Sequence, residues 1–165
     1  MKTLILRTDR LGDFYSTIPY INSITRVYGK KNVDVLVKKH IFSHIKKKSF
    51  LCNNFYYLAE KGIFEKIFLI LKLRKQRYKQ LIIFDGKDRS IILSKFLNIN
   101  KVYHTYPKKK INHLANFLFT KKYITFVDDQ ITPLKNLYRS LLDSIGIKII
   151  DKDNKILIYK DIKKI

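Results

Sequence analysis

Cysteine is nearly absent from this chain of 165 residues, as are methionine (one) and tryptophan (none). The lone Cys52 excludes an internal disulfide and offers no spacing for a zinc site. It reads most simply as a small core side chain. No stretch approaches the roughly 20 consecutive apolar residues of a membrane span. The first apolar run is only a strand's length and is followed at once by Arg7 and Asp9, which does not fit a secretory leader. The expected location is therefore cytoplasmic. There is no G-x-G-x-x-G dinucleotide fingerprint and no internal repeat beyond a recurring strand–turn–helix unit. Acidic residues are scarce: 13 Asp and Glu stand against 35 Lys and Arg, for a net charge of +22.

What is present belongs to a packed domain. Hydrophobic residues make up 46% of the chain, with eleven Tyr and eleven Phe, a composition that excludes intrinsic disorder. The length suits one domain, expected over residues 1–150, with residues 151–165 as a terminal strand or linker. The positive charge favours anionic partners such as nucleic acid, phosphorylated lipid or an anionic membrane surface. Lys, Ile and Asn are used so freely throughout that biased base composition is an equal source of the excess.

The chain is organised around its first nineteen residues. Leu4, Ile5 and Leu6 read as a buried strand, and Thr8 to Asp13 as a polar turn. Phe14, Ile18, Ile21, Ile24 and Val27 then recur at helical spacing. Gly12 allows a tight turn that approaches a ligand closely, and Asp13 stands where a helix N-cap would. Leu81 to Phe84, the turn Asp85 to Ser90 and the helix after it repeat the unit. Its turn should open on the same sheet edge, with Asp88 as helix cap or Arg89 as a ligand for phosphate or carboxylate. Further strands are expected at Val33–Val37, Phe55–Leu58, Asn100–His104 and Tyr123–Val127. Further helices are expected at 62–78, at 112–119, and after Thr132–Pro133. In the helix over 62–78, Ile63, Phe64, Ile67, Ile70 and Leu71 are read as one broad apolar face covering a sheet. The wide apolar arc and basic flanks also suit a helix lying on an anionic bilayer. His40 and His44 have helical spacing but no third metal ligand nearby. The fold class that follows is α/β: a single Rossmann-like, three-layer domain with a mostly parallel sheet, whose ligands bind at the carboxyl ends of the strands.

The wording of the first stretch, Leu6-Arg7-x-Asp9-Arg10-Leu11-Gly12-Asp13 followed by Thr17-x-Pro19 at the helix entry, resembles the N-terminal signature of glycosyltransferase family 9. These are the heptosyltransferases that build the inner core of lipopolysaccharide. The resemblance implies the N-terminal, acceptor-side half of a GT-B type enzyme, with a metal-independent, inverting sugar transfer. It implies Asp13 as the catalytic base. It implies Thr8, Asp9, Arg10, Gly12, Lys87 and Arg89 as the residues that meet the acceptor. No cofactor or metal is implied; a nucleotide-sugar serves as donor substrate. The implied partners are an anionic glycolipid acceptor, the inner face of the cytoplasmic membrane, and a separate donor-domain chain. The donor domain's glycine- and histidine-containing motif does not occur here, so the lone chain is expected to be incomplete as an enzyme.

Two other classes of function stay open at the level of sequence. One is a basic module for RNA or DNA, with Tyr103, Tyr106 and Phe117 near lysine clusters as stacking groups. The other is a non-catalytic remnant or subunit that binds an anionic glycolipid.

Overall fold

Runs of Leu, Ile and Val set the strands at 3–7, 33–38 and 80–83, and because both of their faces are covered they read as near-continuous apolar stretches rather than alternating ones. The computed structural model describes residues 1–45, 52–58, 62–107, 123–128 and 133–149, with the backbone alone at 106–107 and 123–128. Six strands form one sheet: β1 (Thr3–Arg7), β2 (Val33–Lys38), β3 (Asn54–Leu58), β4 (Gln80–Ile83), β5 (Lys101–Pro107) and β6 (Tyr123–Asp128). Their order is β3-β2-β1-β4-β5-β6, and every neighbouring pair is parallel. The chain thus moves outward from β1 on one side, then returns to the other side of β1 at β4. That reversal opens a crevice beyond the carboxyl ends of β1 and β4.

Parallel neighbours need crossovers, and helices supply them. These are α1 (Leu11–Tyr28), α2 (Lys39–Ile45), α3 (Ile63–Lys75) and α4 (Asp88–Leu97), with α5 (Leu134–Asp143) after β6. The period-2 alternation of the strands sorts the core into two layers. Ile5, Val35 and Ile82 pack with Phe14, Ile21, Ile41 and Leu141 of α1, α2 and α5. Leu4, Leu6, Leu36, Leu81 and Ile83 pack with Leu69 and Leu73 of α3 and Leu93 and Leu97 of α4. Gly146 ends the segment after α5 with φ +75°, as a glycine can without strain.

Several expectations shift. Helix α1 begins at Leu11, so Thr17 and Pro19 lie within it and not at its entry. Helix α5 begins at Leu134 with Pro133 at the cap position, one residue later than the proline spacing suggested. The apolar face of α3 is turned around. Leu69 and Leu73 are buried and Ile70 is half-buried, whereas Ile63, Phe64, Ile67 and Leu71 face solvent. The expected helix at 112–119, Thr132, and the segment 151–165 lie outside the described residues.

At the amino ends of the strands a buried carboxylate holds the sheet together. Asp34 of β2 is fully buried. Its Oδ2 accepts from the Tyr78 hydroxyl at 2.6 Å. Its Oδ1 accepts from the Asn54 amide at 3.0 Å, the Asn54 side chain at 3.1 Å and the Asn53 side chain at 3.2 Å. Lys2 Nζ stands 3.9 Å away. A buried charge is tolerated only when it is this fully bonded. Asp34→Ala should therefore strand the Tyr78 hydroxyl and the Asn54 amide, and lower stability by about 3 kcal/mol. Equilibrium denaturation in urea checks this; an unchanged midpoint would show that water replaces the carboxylate.

Candidate functional site

Arg7, the last residue of β1, is buried at the crevice. The alignment of Leu6 with Ile83 sets it beside Phe84, just past β4. Its Nη1 donates to the Phe84 carbonyl and, at 2.8 Å, to the Tyr138 hydroxyl of α5. Its Nε donates to the Asp13 carbonyl at 3.3 Å. The guanidinium also sits 5.6 Å from the centre of the Tyr138 ring. Tyr138 and Thr105 add their own hydroxyl bonds to the Phe84 carbonyl, at 3.2 and 3.3 Å. Burial pushes the Tyr138 phenol up to about 12 despite the pull of Arg7, so it remains a donor at neutral pH.

Two carboxylates share this cation. Asp13 Oδ1 lies 3.8 Å from Nη2, and the Asp13 side chain is 42% exposed. Asp9 Oδ1 lies 3.1 Å from Nε and its side chain is only 13% exposed. The Nε proton points to the Asp13 carbonyl, so the buried Asp9 Oδ1 receives charge but no hydrogen bond. Burial raises the Asp9 carboxyl from 3.8 to about 6; Arg7 opposes the rise, while Asp85 and Asp13 add to it.

A second network ties the two turns to each other. Asp85 Oδ2 accepts from the Thr8 amide at 2.9 Å, the Thr8 hydroxyl at 2.6 Å and the Ser90 hydroxyl at 2.7 Å. Its Oδ1 accepts from the Lys87 amide at 3.2 Å. Arg89 reaches across from α4 to the Thr8 hydroxyl at 3.1 Å and to the Thr8 carbonyl. Thr8 is fully buried and serves as the strut between the turns.

The glycine turn lies in the second unit, not the first. Gly86 has φ +53°, whereas Gly12 is the second residue of α1 and needs no left-handed conformation. A Cβ added at Gly12 would meet nothing within 4 Å, so what Gly12 keeps is open space above the helix start. Neither aspartate caps its helix. Arg10 and Lys87 occupy the cap positions without side-chain capping bonds, and Asp13 and Asp88 fall in the first turns. Arg10, Lys87 and Arg89 are exposed. The crevice thus carries three cationic side chains and the positive ends of two helices, a setting suited to an anionic ligand.

Of the sequence candidates, Thr8 and Arg89 touch directly, and Asp9 and Asp13 meet through Arg7. Arg10, Gly12 and Lys87 share the edge. Sequence reading passed over Arg7, Asp85, Ser90 and Tyr138. The available signal was a charged residue closing each of two apolar strands, Arg7 after Leu6 and Asp85 after Phe84. Tyr103, a proposed base-stacking residue, is buried in the core. Tyr106, Lys108–Lys110, His113 and Phe117 lie outside the residues with described side chains. Cys52 is buried, with burial first and Asp34 second pushing its thiol up to about 12. Among the described residues no group of three or more His, Cys, Asp or Glu is placed to hold a metal ion. No helix among them is long and apolar enough to cross a membrane.

E. coli heptosyltransferase WaaC, solved with ADP-2-deoxy-2-fluoro heptose, superposes with a TM-score of 0.69 over 92% of this chain and 50% of its own, at 16% identity. The family 9 glycosyl transferase of Veillonella parvula gives 0.67 over 89% and 41%, at 12% identity. E. coli ADP-heptose lps heptosyltransferase II gives 0.58 over 79% and 36%, at 17% identity. The chain has the fold of these transferases. It spans half or less of the length of each. No protein-family model matches the chain, and no curated protein matches it significantly.

The environment of Asp9 yields a signed prediction. Its folded-state value lies above the ordinary 3.8, so the folded chain holds a proton that the unfolded chain has released. Stability from this group is therefore full below about pH 4 and is lost as pH rises through about 6. Asp9→Asn should make the protein more stable than the parent at pH 7, by roughly 3 kcal/mol at most, and the two should converge below pH 4. Paired urea melts at pH 4 and pH 7 measure it. Equal stability at both pH values would mean that the carboxylate is solvated.

Proposed function

We propose that this chain is the acceptor-side part of an inverting, metal-independent glycosyltransferase of lipopolysaccharide core or related surface-glycan synthesis. In this reading it passes a sugar from a nucleotide-sugar to an anionic glycolipid. The observation that carries the proposal is the half-exposed Asp13 carboxylate, held at the switch-point crevice by the buried Arg7 on a fold shared with heptosyltransferases.

The chemistry needs a base within hydrogen-bond reach of the acceptor hydroxyl. Asp13 takes that proton while the acceptor oxygen attacks the anomeric carbon. The bond from that carbon to the nucleoside diphosphate breaks on the opposite side, which inverts the centre. Arg7 fixes the base from behind through the Asp13 carbonyl and carboxylate. The exposed Arg10, Lys87 and Arg89 take the acceptor's anionic groups, and the open space above Gly12 lets the acceptor approach the helix start. The donor requires a second surface facing this edge, supplied by a donor-binding domain in the same chain or another. A glycolipid acceptor further implies action at the inner face of the cytoplasmic membrane. The nucleic-acid reading keeps the net charge but loses Tyr103 to the core.

The test combines the protein with a nucleotide-heptose and a lipid A–Kdo acceptor, with and without a donor-binding domain. Transfer should require that domain. Asp13→Asn should lower the rate by about 10²–10⁴-fold, the usual worth of a positioned base, while the melting temperature stays near that of the parent. Undiminished transfer by Asp13→Asn would leave Asp13 as a structural partner of Arg7 only.

A further inference from the structure

Helix α3 is apolar on the wrong side for a helix that only covers a sheet. Its buried residues are Leu69 and Leu73. Ile63, Ile67 and Leu71 follow one another at intervals of four, with Phe64 and Phe68 one position on. Helical geometry therefore stacks these five as a ridge on the side away from Leu69 and Leu73. All five are exposed: Phe64 at 83%, Phe68 at 70% and Ile63 at 68% lead. On the neighbouring helix α4, Ile92 and Phe96 are also exposed, Phe96 at 57%. Scattered apolar residues on a surface need no explanation, but a contiguous ridge of this kind marks a surface that is covered by something.

The charge of the rim identifies the cover. In α3 the acidic residue Glu65 stands against Lys66, Lys72, Arg74 and Lys75, in a chain of net charge +22. An apolar ridge with exposed lysines beside it is complementary to acyl chains beneath anionic headgroups. The surface is continuous with the crevice. A groove of about 430 Å³ between α3 and α4 is lined by Ile70, Ile92 and Phe96 and by the cations Lys38, Lys66 and Arg89. Lys38 ends β2 and Arg89 is the second residue of α4, so the groove opens at the carboxyl edge of the sheet.

We infer that the outer face of α3, extended by Ile92 and Phe96 of α4, docks this protein on an anionic lipid bilayer, with the Arg89 end of the crevice at the level of the headgroups. The inference specifies the membrane contact proposed above, yet its observations are independent of Asp13 and of any transfer reaction.

Flotation with vesicles of phosphatidylglycerol and phosphatidylcholine, against phosphatidylcholine alone, tests it on the full chain. The parent should bind the anionic vesicles. Phe64→Ser combined with Phe68→Ser should weaken that binding about tenfold or more, as expected from two apolar side chains withdrawn from lipid. Lys66→Glu with Lys75→Glu should weaken it and reduce its dependence on salt. These side chains are exposed, and circular dichroism and melting confirm that the variants fold. Absence of binding by the parent, or equal binding by the Phe64→Ser/Phe68→Ser protein, overturns the inference. So does a parent dimer that the same substitutions make monomeric, because the ridge is then covered by a second copy. With the donor-binding domain supplied, transfer to a short, water-soluble acceptor should be unaffected by the phenylalanine changes and lost in Asp13→Asn, so failure of either reading is seen separately.

Discussion

A single buried guanidinium determines the geometry of the switch-point edge. Arg7 closes β1 and bonds at once to the chain just past β4, to the first turn of α1 and to the hydroxyl of α5. A charged donor removed from water is costly unless every direction is filled. Here carbonyls, a phenol and two carboxylates fill them. The planar fork of arginine suits this division of bonds among three segments, and the single ammonium of lysine would not reproduce it. The same contacts that satisfy Arg7 hold the start of α1 against the sheet, and with it Asp13.

The two ends of the sheet are closed by opposite charges. At the amino end the Asp34 carboxylate gathers Tyr78, Asn53 and Asn54. At the carboxyl end Arg7 is joined by Asp85, whose carboxylate gathers Thr8, Ser90 and the Lys87 amide. Between these polar ends β1, β2 and β4 are almost wholly apolar. Such a parallel sheet has little freedom to slip in register, because a shift of one residue would move Asp34 or Arg7 away from its partners and turn each strand's side chains to the other face. The rigidity of the crevice thus follows from the way the strand ends are tied.

Local patterns carried the architecture. The apolar runs around Leu4–Leu6, Val33–Val37 and Leu81–Phe84 marked three central strands, and the repeated strand–turn–helix unit put both turns on one edge. The glycine break after α5 was equally readable at Gly146. Non-local bonds were not readable. Thr8 and Asp85 are 77 positions apart, and so are Arg7 and Phe84, so neither partner announces the other. Helix α3 failed for a different reason: with apolar residues nearly all round it, the sequence ranked its faces by composition, while the sheet chose Leu69 and Leu73 by shape. Asp13 misled because a residue after glycine looks like a cap; the helix in fact begins two residues earlier, at Leu11.

The scarcity of acid in this chain gives the remaining acids weight. Only 13 of 165 residues are acidic, yet Asp9 and Asp85 follow the strand ends at the crevice and Asp13 and Asp88 stand in the first turns of the helices that start there. A composition drifting toward lysine does not gather carboxylates at one edge of a sheet. Around Arg7 two of them meet different surroundings: Asp9 is enclosed and raised to about 6, chiefly by burial, while Asp13 is 42% exposed. Carboxylates separated in this way by their surroundings are suited to different tasks. Asp9 is the more enclosed of the two, with its side chain 13% exposed. When Asp9 is protonated, the charge of Arg7 is left facing Asp13, the more exposed of the two carboxylates on this cation.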